Sequence, residues 1–209
     1  MARANMLHPW GFSPLNARES DLIAVDVTSN NTLAIFPGEP VIAQSDGSVI
    51  RTPAGSAAGA ATDGITAIVV DILQYKASSG QVLQNGIRYL PAATIWTAHQ
   101  DRSRLLVCLC TEDMRYQVKC ATALASLAAG RSARFGNADH SYGTADNNLG
   151  LTGVQLATGT IDTTATRQWR ILGVQELVGN DPLQANFIAE VAVNLPYGLP
   201  IVGHSATGL

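Results

Sequence analysis

Apolar and polar positions along this chain fall into short β-type runs separated by turn residues. LIAVDVT (22–28) alternates and is rich in β-branched residues, as a half-buried strand requires. NN at 30–31 predicts a turn, and LAIF (33–36) a further strand. PGEPVIAQSDGSVI (37–50) reads strand–turn–strand. Asp46-Gly47 is its hairpin signal, because this pair accepts the positive φ of a tight turn. ITAIVVDILQY (65–75) and RLLVCLCT (104–111) are apolar on both faces, which predicts strands covered on two sides. RYLPAATIWTA (88–98) predicts a strand around Trp96. In RYQVKCA (115–121), Arg115, Gln117 and Lys119 point one way and Tyr116, Val118 and Cys120 the other. With the acidic turn EDM before it, that segment predicts a hairpin with 104–111. QWRILGVQELV (168–178) predicts a strand ended by the turn GNDP (179–182). NFIAEVAVN (186–194) alternates, with Phe187, Ala189, Val191 and Val193 on one face.

The remaining segments have other textures. Residues 1–21 have neither a strand nor a helix period and carry Pro9, Trp10, Gly11, Phe12 and Pro14. They predict an extended arm whose aromatic side chains dock on this chain's own core or on a neighbour. AGSAAGAATD (54–63) predicts a loop, and the polar stretch 76–86 another. ATALASLAAG (121–130) predicts one short helix near Ala121–Ala129. Residues 131–167 are rich in Gly, Thr, Asn and Asp, with GVQLA (153–157) a short strand. LPYGLPIVGHSATGL (195–209) is an apolar tail. Many short strands without a long amphipathic helix predict an all-β protein with a β-sandwich or jelly-roll-like body over 22–194. The arm is 1–21 and the tail 195–209; a break near 76–90 would divide the body into two β subdomains.

Composition changes the picture in one respect. The chain has 209 residues, enough for one large domain or two small ones. Charged residues are only 14%, against roughly 25% in ordinary globular proteins. The net charge is -3, which excludes the broad basic surface that nucleic-acid backbones demand. A surface so poor in charge protects a free monomer badly against self-association, so partner subunits are expected to cover much of it. Of 13 basic residues only Lys76 and Lys119 are lysines. Arginine enrichment suits protein interfaces; codon bias in a GC-rich genome gives the same count. The N-terminus lacks the apolar core of a signal peptide, and no run approaches the ~18 apolar residues of a membrane span. Three cysteines fit a reducing cytosol better than a secreted disulfide framework.

Candidate chemistry is sparse. Cys108, Cys110 and Cys120 invite a zinc reading, yet a fourth ligand would have to come from His8, His99, His140 or His204, all far apart in sequence. Core packing of small hydrophobic thiols is the reading adopted, with no metal and no cofactor. Glu112-Asp113 reads as a solvated turn. Asp139 beside His140 in FGNADHSYG (135–143) has the form of a base–orienter pair, but no nucleophile elbow accompanies it; a polar loop is the simpler account. The chain is therefore read as non-enzymatic, with no catalytic residue.

The order of segments carries more than any one motif. GEPV (38–41) opens a strand before a small-residue loop; then come ITAIVVDIL, RYLPA, LLVCLCTEDMRYQVK, FGNAD, QWRILGVQ and AEVAVN. From about Ser13 to Asn194 this order resembles the decoration, or cement, proteins on the heads of short-tailed double-stranded DNA phages. The chain departs from that family in TEDM, where the family has D-D-P-D, and in its apolar tail. The resemblance implies a capsid protein on the outer virion surface, made in the host cytoplasm, that bridges major capsid subunits. Its implied partners are the major capsid protein and itself, as a homotrimer or alternatively a dimer, with neither nucleic acid nor membrane. Trp10 and Phe12 in the arm and Tyr197 and Ile201 in the tail are the expected docking residues. The alternative is a surface module that binds host glycans, with Trp96, Trp169 and Tyr142 as candidates by residue type.

Overall fold

The computed structural model describes residues 11–28, 31–53, 65–76, 82–84, 87–92, 103–163, 167–175 and 179–194. Twelve strands, one α-helix and a short 3-10 turn at Glu19–Asp21 are assigned among them. The strands are β1 (Ser13–Pro14), β2 (Leu22–Asp26), β3 (Pro40–Ala43), β4 (Val49–Arg51), β5 (Ala67–Lys76), β6 (Val82–Gln84), β7 (Arg104–Leu109), β8 (Tyr116–Lys119), β9 (Asn137–Tyr142), β10 (Val154–Asp162), β11 (Trp169–Val174) and β12 (Ile188–Val193). The helix α1 is Leu127–Ala133. One antiparallel sheet runs β2-β7-β5-β3-β4, with β6 on β5; the other runs β1-β8-β12-β11-β9-β10. The two pack together as a β-sandwich, the all-β class that the strand pattern predicts.

The first sheet coils until its edges meet, and in the second the end of β8 reaches the edge strand β10. Val27, just past β2, forms a parallel bridge with Val49 of β4, and the Thr28 N–H donates to the Val49 carbonyl at 2.9 Å. Cys120, just past β8, bridges Leu156 of β10 in the same way, and the Ala121 N–H donates to Leu156. These contacts satisfy backbone groups that an open sheet would present to other chains.

Two apolar clusters result. The larger lies between the sheets and includes Phe12, Ile68, Cys108, Tyr116, Val118, Leu156, Trp169 and Val191. The smaller lies on the other face of the first sheet, where Ile35 and Leu90 cover Val41, Val69, Leu105 and Val107. The central strands β5 and β7 are thus buried on both faces over much of their length, as their unbroken apolar runs predict. Ile35 and Leu90 reach each other through an isolated antiparallel bridge, so LAIF forms a cover with one bridge rather than a strand. The strand expected around Trp96 lies outside the described residues.

Several expectations need correction. Segments 104–111 and 115–121 do not form a hairpin. β7 pairs with β2 and β5, whereas β8 pairs with β1 and β12. The turn closed by Met114 N–H to the Thr111 carbonyl carries the chain from one sheet to the other. The alternation itself is correct: Tyr116, Val118 and Cys120 are fully buried. A break near 76–90 does not separate two bodies, because β5 and β7 on either side of it pair along one sheet. The helix begins later than Ala121. The Ser126 Oγ caps it by accepting from Ala129 N–H at 3.1 Å. Ala121 and Leu124 donate instead to Leu156 and Pro182, so tertiary bonds claim the backbone ahead of the cap. FGNADHSYG is no loop either, since residues 137–142 form β9.

Candidate functional site

The most unusual chemistry of the molecule is sealed inside it. The GEPV segment enters β3 through Gly38, whose φ of 85° suits glycine and whose N–H donates to Val69. Glu39 then points into the interior with a side chain that is 0% exposed. Arg51 of β4 reaches it with Nε 2.9 Å from Oε2 and Nη2 3.2 Å from Oε1. The Thr152 hydroxyl donates to Oε1 at 2.7 Å, and the Phe36 N–H to Oε2 at 3.3 Å. Burial pushes the Glu39 carboxyl up to about 7 against the pull of Arg51 and these donors. The Arg51 guanidinium also lies 3.7 Å from the Tyr142 ring centre, and the Tyr142 hydroxyl donates to the Thr52 carbonyl. This cluster joins the first sheet to β9 and to residue 152. Glu39 is sealed from solvent and ties these elements together.

Asp139 and His140 do not form a base–orienter pair. They are neighbours on β9, so their side chains leave on opposite faces. Asp139 leaves on one face, buried against Arg167, which also holds Asp162 through Nη2 at 2.9 Å. His140 turns inward, where Trp169 Nε1–H donates to its Nδ1 at 3.3 Å. Burial lowers the His140 imidazole to about 3, with Arg51 adding to the shift. The ring is therefore neutral at physiological pH and meets Phe12, Tyr142 and Trp169 edge-on.

The expected docking and sugar-binding residues divide. Phe12 is 1% exposed and belongs to the main core. Its segment is fixed by Phe12 N–H to the Gly38 carbonyl and by the pairing of β1 with β8. Phe12 thus docks on its own chain and is spent there, which corrects its assignment as a partner contact. Trp10, Tyr197, Ile201 and Trp96 lie outside the described residues. Trp169 is fully buried, and Arg51 covers the Tyr142 ring, so neither offers a sugar an open face.

The three cysteines sit in the main core. Burial raises Cys108 and Cys120 and pushes Cys110 up to about 12, away from the thiolate. The Tyr116 hydroxyl contacts Cys110 Sγ at 3.2 Å. Among the described residues, no three His, Cys, Asp or Glu side chains gather as a metal site would require. Glu112 and Asp113 are exposed at the inter-sheet turn. Sequence reasoning missed the Glu39–Arg51 pair; a charged residue between Gly38 and the apolar strand start was its only signal.

Comparison with protein families, curated proteins and solved structures finds no match for this chain.

Proposed function

We propose that this chain is a non-enzymatic capsid decoration protein, which cements an icosahedral phage head by bridging neighbouring major capsid subunits. The observation that carries the reading is the order of sequence segments shared with such proteins. The placement of those segments supports it. GEPV supplies the buried Glu39, LLVCLC supplies β7, QWRILG supplies β11, and AEVAVN supplies β12. The segments are therefore coupled parts of one core, and their order is a property of a whole domain. The glycan reading loses support, because two of its three aromatic candidates are covered.

A homotrimer at the local threefold junctions of the shell would cross-link three capsomers at once, with avidity multiplying modest contacts. The Val27–Val49 and Cys120–Leu156 bridges weaken the open-edge argument for that state, leaving mainly the low surface charge and the resemblance. Light scattering of the free protein is expected to give about three times 21.9 kDa; a mass near 21.9 kDa overturns the trimer. For the function, purified chain is mixed with expanded empty shells of the major capsid protein encoded in the same genome. Saturable co-sedimentation at a fixed ratio to capsid subunits is expected. A chain that stays in the supernatant at micromolar concentration overturns the proposal.

A further inference from the structure

Phe135 is the most exposed large hydrophobic residue among those described, at 63%. Its φ is +68°, a left-handed conformation that an aromatic side chain adopts only at a cost. The backbone there is held firmly. Phe135 N–H donates to the Ile171 carbonyl at 2.7 Å, Gly136 N–H to Ala133, and Ile171 N–H to Gly136. The fold thus spends strain to hold an apolar ring in water, where glycine would serve the turn better.

Two of the chain's eleven arginines border that ring and the groove beside it, Arg170 and Arg134. Arg134 lies at the end of α1, Arg170 on β11, and both are exposed. The Arg170 guanidinium is 5.8 Å from the Phe135 ring centre. Arg134 Nε donates to the Leu172 carbonyl, and its Nη2 passes over Gly173, where a Cβ would sit only 3.4 Å away. Beside the ring opens a groove of about 550 Å³ lined by Leu124, Ala133, Phe135 and Ile161 together with the polar Ser132 and Thr158. The carboxylate on its rim, Asp162, is already held by Arg167.

We propose that Phe135, Arg134, Arg170 and the adjoining groove form a docking site for an acidic polypeptide segment carrying one bulky apolar side chain. The arginines supply the charge complement, in a molecule that is otherwise net negative. The groove takes the apolar side chain against Phe135, the pattern of an aromatic and arginine anchor inside a polar rim. A nucleic-acid strand fits less well, because two cations neutralise few phosphates. The proposal goes beyond the capsid reading and does not depend on it.

The test uses fluorescence anisotropy with the full chain. The probes are labelled Asp-Glu-Asp-Leu-Asp-Glu-Asp, the same peptide with Ala for Leu, a Lys/Arg counterpart of the Leu peptide, and an oligothymidylate. The acidic Leu peptide is expected to bind at least about tenfold more tightly than the other three, a separation of one decade in Kd, and to weaken with salt. Phe135→Gly is expected to lose that binding about tenfold while raising Tm, since glycine relieves the positive φ. Arg170→Gln should lose binding with little change in Tm. Equal binding of the Leu and Ala peptides, tighter binding of oligothymidylate, or no binding of the Leu peptide at millimolar concentration overturns the proposal. A fall in Tm for Phe135→Gly also overturns it, because the ring would then be part of the fold.

Discussion

Phe12 lies flat on Trp169, with ring centroids 3.9 Å apart and planes 15° from parallel. The contact joins a residue near the N-terminus to the start of β11, and both rings are almost fully buried. Trp169 in turn meets Tyr116 edge-on at 5.8 Å and donates to His140. The stack closes one side of the main core with a segment that has no periodicity of its own.

Phe12→Ala should therefore destabilise the body by about 3–5 kcal/mol, the usual loss for truncating a buried aromatic side chain. Urea unfolding of the variant measures it. A loss below about 1 kcal/mol would mean the ring is replaceable by solvent. Removing residues 1–18, which deletes Phe12 and β1, should for the same reason compromise folding itself.

Val118→Asp places a carboxylate on the inward face of β8, where Val118 is fully buried between Ala189 on β12 and the core. The described residues of the core cluster around it are apolar, so a loss of at least about 4 kcal/mol is expected. A soluble variant with a cooperative melt near the parent Tm would contradict the assignment of this face.

Glu39 gives the molecule a signed pH response. Its carboxyl stands at about 7 in the fold against an ordinary 4.5. A raised value means that its contribution is present in full below about pH 4.5 and is lost as pH rises through about 7. The difference in Tm between the parent and Glu39→Gln should then move steadily against the parent across that window. A difference that stays constant with pH would show that Glu39 is ionised throughout.

His140 responds in the opposite sense. Its imidazole is lowered to about 3 from 6.5, so the stability it supports is present above about pH 6.5 and declines as pH falls toward 3. Protonation would also turn Nδ1 into a donor facing the Trp169 N–H. The His140 ring proton shifts in NMR spectra should stay flat from pH 7 to pH 4. A midpoint near 6.5 would place the ring in contact with water.

Much of the architecture is legible in residue order. The Asp46-Gly47 pair closes the β3–β4 hairpin, with Gly47 at a φ of 78°. Phe187, Ala189, Val191 and Val193 face inward together. β9 is the telling failure. NADHSY looks like a loop because two of its polar residues are satisfied only by partners remote in sequence. Asp139 needs Arg167, and His140 needs Trp169. A polar residue that finds a buried partner costs little, but the sequence around it does not record the partner.

The sequence by itself determined that the chain is all-β, which residues of most strands face inward, and where the tight hairpin turn falls. These are local properties, because side chains alternate with a period of two and turns demand particular backbone angles. Only the tertiary structure decided which strands are neighbours. Alternation in 115–121 reports a buried face equally well whether the strand folds back on β7 or crosses to the other sheet, and the crossing is set by the core that both sheets share. The same holds for Glu39 and Phe12. Whether a charge is sealed against an arginine, or an aromatic ring is left free for a partner, depends on what packs over it from elsewhere in the chain.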